Sequence, residues 1–194
     1  MGRYAYRTKL LMDRTPHRIF LDTGVVQYLF KYGESIFENL EVPGNDRVQT
    51  VPEGLNDIEA LQAFCVLNRR SVFELVVSEN SFKEVIAAGD PRYTNWLMEL
   101  ADYWEAAVRA YGGSAFDGSG RIRRARLLRR EFDYLSKNDR LLIADACEME
   151  CDTFLTVDRR LTHSSGHLRR ELTLCVVTPT QLWELLQPWA ALLA

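Results

Sequence analysis

Four short segments, IFLDTGVV from position 19, FELVVS from 73, DTFLTVD from 152 and LTLCVVTP from 172, are rich in β-branched and aromatic residues and have no polar face. A strand that is apolar on both sides must be covered on both sides, which is the situation of a parallel sheet rather than of a half-solvated antiparallel one. Between the four runs lie longer stretches with helical spacing: VVQYLFKY, NDIEALQAFCVLNRR, NSFKEVIAA, RYTNWLMELADYWEAAVRAY, RIRRARLLRREFDYL and DRLLIADACEME. Strands alternating with helices predict an α/β fold, a central parallel sheet flanked by helices.

Turn-forming residues divide these elements. Pro43-Gly44-Asn45-Asp46 and Pro52-Glu53-Gly54 mark loops, Asn56 with Glu59 has the form of a capping box, and Gly112-Gly113 with Gly118-Ser119-Gly120 brackets a flexible connection. The net charge of -3 points to no class of partner. The first residues, MGRYAYRTKLLMDRTPHR, carry charges throughout and lack the apolar core of a signal peptide, and no apolar run approaches the roughly 20 residues of a membrane-spanning helix. The expectation is a cytoplasmic protein without membrane contact. Cys65, Cys147, Cys151 and Cys175 show no zinc or redox spacing and are expected to be reduced and packed.

In an open parallel sheet, ligands bind beyond the carboxyl ends of the strands. Asp22 and Asp158 each stand where an apolar run stops, while Glu84 and Asp139 fall in helices that open near the same edge. Adjacent carboxylates repel and raise one another's pKa unless a cation neutralises them. With oxygen donors alone the fitting ion is Mg²⁺ or Mn²⁺. Such a site polarises a phosphoryl oxygen and activates a water, which predicts phosphodiester hydrolysis.

FLDTGVV, SENSFKEV, NDRLLIADA and FLTVDRRL, in that order, resemble the PIN domain of metal-dependent ribonucleases, a family that includes toxins of bacterial toxin–antitoxin pairs. The resemblance spans residues 18 to 187. It implies a three-layer α/β sandwich and a Mg²⁺ or Mn²⁺ site built from Asp22, Glu84, Asp139 and Asp158. Thr156 would orient a water or the neighbouring carboxylate, and cleavage of RNA would leave a 5′-phosphate. A homodimer and an antitoxin partner are also implied. The spacing from Ser78 favours Glu84 over Glu79. Against the family pattern, Gly24 stands where many members carry serine or asparagine, and the chain adds an N-terminal extension (1–17), a helical and loop segment around 33–70, and a tail (188–194).

Taken singly, each acid has a plainer reading. Asp22 could be a turn former or cap, Asp139 a first-turn acid favoured by the helix dipole, Glu84 a solvated helix residue and Asp158 half of an ion pair with the following arginines. Asp145 lies on another face of its helix and reads as structural. In RIRRARLLRREFDYL, Ile122, Leu127, Leu128, Phe132 and Leu135 suggest one packed stripe, leaving Arg123, Arg124 and Arg126 to hold a polyanion or an acidic partner. Gly166 and two serines argue for a loop at His163 and His167, and against a metal pair there. Trp96 and Trp104, with Leu97, Leu100 and Tyr103, read as core or dimer interface. Two rival functions are a haloacid-dehalogenase-like phosphatase using Asp22, which would want an acid where Gly24 stands, and a PIN-fold scaffold that binds RNA or protein without cleaving it.

Overall fold

Strand β1 (Arg18–Leu21) is buried along its whole length. Its residues alternate between two apolar clusters: Ile19 and Leu21 enter one, Phe20 the other. The same alternation runs through β3 (Thr153–Leu155) and β4 (Cys175–Val177), where Phe154 and Val176 share the cluster of Phe20, and Leu155 and Val177 that of Leu21. Side chains of period two explain this sorting. In the computed structural model, which describes residues 15–69, 73–111 and 116–193, the four strands form one parallel sheet in the order β2-β1-β3-β4, with β2 at Glu74–Val76. The Phe20 and Phe154 rings stack at 5.3 Å across the central pair. Residues 1–14 of the extension and the Gly112-Gly113 pair lie outside the described residues.

The first cluster is covered by α1 (Thr23–Lys31), α2 (Gly33–Glu38), α3 (Gly54–Asn68), α4 (Glu79–Ala87), α5 (Pro91–Tyr111) and α10 (Pro179–Leu193). The second is covered by α6 (Ser119–Arg126), α7 (Lys137–Glu148), α8 (Arg159–Thr162) and α9 (Ser165–Leu172). From β1 the chain turns into α1 on one face, while from the neighbouring β3 it turns into α8 on the other. That divergence opens a crevice beyond the carboxyl ends of β1 and β3, the usual ligand position in such sheets. Among the described residues no helix is long and apolar enough to cross a membrane.

The segment around 33–70 is part of the core rather than an appendage. α3 buries Ile58, Leu61, Phe64 and Leu67, and its Asp57 is only 2% exposed. Asp57 accepts hydrogen bonds from Arg159 Nη2 at 2.6 Å and from Thr180 Oγ1 at 2.7 Å and N at 3.2 Å. One carboxylate thus ties α3 to the start of α8 and to the first turn of α10. α3 begins at Gly54, earlier than the Asn56–Glu59 capping box implies, after Glu53 in a left-handed conformation. The tail is helical through Leu193, with Pro188 inside α10.

The arginine-rich stretch is not one helix. α6 ends at Arg126, the chain turns, and a 3-10 turn spans Arg130–Phe132. The break lets Leu127, Phe132 and Leu135 all reach the second cluster, whereas Ile122 and Leu128 face solvent. The glycine connection before it is anchored: the Glu150 carboxylate accepts from the backbone N–H of Asp117 and Gly118, each at 2.6 Å. Gly120 is where α6 meets α7 backbone to backbone. A Cβ there would stand 2.6 Å from the Cys147 carbonyl oxygen and 2.7 Å from that of Glu148. Gly120→Ala is therefore expected to lower stability by about 2 kcal/mol, the range of overpacking, read as a lower urea midpoint at unchanged slope. An unchanged midpoint would mean the two helices separate freely.

Candidate functional site

The crevice beyond β1 and β3 is a cavity of about 510 Å³ whose walls include Asp22, Glu84, Asp139 and Asp158. Each acid arrives on a different element for a local reason. Asp22 is the N-cap residue of α1, in extended backbone, immediately after the buried strand. Glu84 projects from α4, whose start is fixed by the Ser78–Ser81 capping box. Asp139 lies in the first turn of α7, where its N–H donates to the Ser136 hydroxyl at 3.1 Å. Asp158 is the N-cap of α8, its Oδ1 accepting from Arg160 N at 2.9 Å. Glu79, by contrast, is exposed and pairs with Lys83.

Hydroxyls hold the acids in place. Thr156 is fully buried; its Oγ1 donates to Asp22 Oδ2 at 2.6 Å and accepts from the Asp158 N–H at 3.0 Å. Thr156 therefore positions a neighbouring carboxylate, one of the two roles expected for it. Thr23 Oγ1 donates to Glu84 Oε2 at 2.5 Å. Asp158 is gripped by the Arg160 guanidinium, Nη2 to Oδ2 at 2.7 Å and Nε to Oδ1 at 3.1 Å. The capping and ion-pair readings of Asp158 thus both hold, within the same cavity wall.

The electrostatics separate the acids. Burial pushes the Asp22 carboxyl up to about 6; the charges of Asp139 and Glu84 add to the rise, and the bonds from Thr156 and Thr23 oppose it. The Arg160 bond holds Asp158 below the usual carboxylate range. Asp22 is thus an acid whose charge lacks compensation at neutral pH, facing further carboxylates across a cleft. Hard oxygen donors of that kind suit a divalent Mg²⁺ or Mn²⁺. Among the described residues, however, no group of three His, Cys, Asp or Glu side chains is arranged to hold an ion. The chemistry of an all-oxygen donor set is that of such an ion, and here Asp22, Glu84 and Asp158 are hydrogen-bonded to Thr156, Thr23 and Arg160.

Tyr93 was not apparent from the sequence. It is 5% exposed, stacks on Phe30 at 4.7 Å, and its hydroxyl is buried without a hydrogen-bond partner. Burial raises its pKa, and the charges of Asp22 and Glu84 raise it further. Its ring lies against Phe30 and Trp96, a packing that no motif in the sequence announces. Asp145 lies outside the cavity wall and accepts from Asn80 Nδ2 at 2.8 Å, a structural contact between α4 and α7.

The arginine expectation needs correction. Arg123 is buried, and its guanidinium donates to the Cys151 and Cys147 carbonyls at 2.8 and 3.1 Å, closing the C-terminal end of α7. Arg126 donates to the Glu171 carbonyl at 2.7 Å, and Arg124 pairs with Glu148. Helix C-termini offer carbonyls that a guanidinium satisfies well, so the first and last of these side chains serve the fold. Arg121 and Arg130 of the same stretch are exposed. His163 lies in the turn after α8, as a loop there implies, whereas His167 is helical: in α9 it accepts from Arg170 Nη2 at 3.0 Å and lies against Phe132. Neither lines the cavity. Leu97 is core, with Trp96 and Trp104 half-buried against the first cluster, while Tyr103 is largely exposed.

No protein-family model, no curated protein and no solved structure matches this chain.

Because the Asp22 pKa is raised on folding, from 3.8 to about 6, the folded state holds the extra proton between those values. Stability from this group is therefore present at low pH and lost as pH rises through about 4 to 6. In EDTA, Asp22→Asn should be more stable than the parent above that window, by about 2 to 3 kcal/mol, and should lose the advantage toward pH about 4. Urea melts across pH check it; equal curves at every pH would show that Asp22 is well solvated.

Proposed function

We propose that this chain is a PIN-like, Mg²⁺- or Mn²⁺-dependent endoribonuclease with its active site in the crevice of Asp22, Glu84, Asp139 and Asp158. One observation carries the reading: acids from separate elements, picked out by strand ends and by the resemblance, line a single cleft at the carboxyl edge of a parallel sheet. A three-layer PIN-like sandwich is the finer description that agrees with the strand order and the two apolar clusters.

The four acids would hold the cation. When bound, the ion supplies charge at the phosphoryl oxygen and lowers the pKa of a water. Asp22, desolvated and raised, is the carboxylate with most to gain from a cation. Thr156 fixes its rotamer, so the carboxylate need not reorganise as charge develops. Asp158 is set by its own N–H on the same threonine. Glu84 is steadied by Thr23. Water attack on the phosphodiester would give a 5′-phosphate and a 3′-hydroxyl.

The phosphatase reading lacks support. It needs a second acid at position 24, where even a Cβ would stand 2.8 Å from Val157 Cγ2. The same close approach of α1 to the loop after β3 accounts for glycine where serine or asparagine is usual in the family resembled.

A mixed single-stranded RNA incubated with the purified chain should be cut with Mg²⁺ or Mn²⁺ and left intact with EDTA. Asp22→Asn and Asp158→Asn, shown folded by circular dichroism, should each lower the rate by roughly a hundredfold or more. Cutting that survives both substitutions would place the activity elsewhere. Thr156→Val should lower the rate less, by roughly ten- to a hundredfold, as loss of a group that orients a ligand does; full activity would remove Thr156 from the site.

A further inference from the structure

We propose that Arg160 is an exchangeable counter-ion: it occupies Asp158 while the cleft holds no metal, and passes to a phosphate of the substrate when a metal takes Asp158. The inference rests on the nuclease reading above and adds to it a coupling between metal and RNA. Among the described residues, Arg160 is the one cationic side chain in the cavity wall. Its fork meets both oxygens of Asp158, so a metal could use that carboxylate fully only after the guanidinium lets go. The side chain is 90% exposed, against 30% for Asp158, so nothing packs the guanidinium in place and it can swing without disturbing the core. Its backbone is fixed, being in the first turn of α8 behind the Asp158 cap.

The neighbouring arginine makes the contrast. Arg159 is held by the buried Asp57 at 2.6 Å and its side chain is 34% exposed. It anchors the loop, leaving Arg160 as the mobile partner of the pair. A guanidinium matches a phosphate as well as a carboxylate, through the same two parallel N–H donors. Once released beside the cation, it lies where a phosphodiester would be bound. Metal and Arg160 then compete for Asp158, while RNA and metal favour each other, since the phosphate captures the released arginine. Such coupling must be reciprocal in binding free energy.

Calorimetric titration of the whole chain with Mn²⁺, with and without an uncleavable phosphorothioate RNA, tests this. Without RNA, Arg160→Gln should bind Mn²⁺ about two- to fivefold tighter than the parent, the range of an exposed ion pair. Adding RNA should tighten Mn²⁺ binding in the parent and do so much less in Arg160→Gln, with Arg160→Lys between them. In the cleavage assay Arg160→Gln should raise KM more than it lowers kcat. Mn²⁺ binding that needs Asp22 but is the same in the parent and Arg160→Gln, with and without RNA, would overturn the exchange while leaving the nuclease reading intact. No Mn²⁺ binding, or binding indifferent to Asp22→Asn, would defeat both.

Discussion

A single hydroxyl, that of Thr156, joins the ends of the two central strands. It donates to Asp22, at the end of β1, and accepts from the backbone of Asp158, beyond the end of β3. β1 has apolar neighbours on both faces beyond its Arg18–Glu74 pair, and where the chain leaves the sheet at Asp22 the carboxylate remains largely desolvated. An unsupported carboxylate at that point would be a liability. The Thr156 bond stabilises it and fixes its direction, and β3 lies beside β1 in the register that brings Leu21 opposite Leu155. Strand pairing, the bond and the divergence of α1 from α8 therefore depend on one another.

The perturbed acid and its setting reflect a conflict between fold and chemistry. Apolar burial stabilises the sheet, and the same burial raises the Asp22 pKa. Supporting contacts surround this position: Thr23 with Glu84, and Asp57 with Arg159 and Thr180. The supports come from α1, α3, α8 and α10.

Much of the arrangement was legible because it depends on local pattern. An apolar run that stops at an acid marks a strand end, and the motif spacing from Ser78 pointed to Glu84, which lines the cleft, over Glu79, which pairs with Lys83 in solvent. What was illegible depends on contacts distant in sequence. Whether an arginine faces water or a carbonyl cannot be read from its spacing; Arg123 turns inward because α7 ends beside it. The break after Arg126 was equally hidden, since Leu127, Phe132 and Leu135 reach one cluster here by way of a turn where their spacing suggested a single helical stripe. Tyr93 and Asp57 stood in no motif, and their places depend on contacts far along the chain, with Phe30 for one and with Arg159 and Thr180 for the other.

The Asp57 tether also bears on how fast the cleft can respond. It joins the loop carrying Thr156 and Asp158 to two helices of the opposite layer. Opening that loop would mean breaking a buried charge contact and shifting packed helices together, a collective motion of microseconds or slower. The exposed Arg160 faces no such barrier; rotamer changes of exposed side chains take picoseconds to nanoseconds. In a cleft built this way, the backbone works as a fixed frame and any rapid gating falls to one side chain.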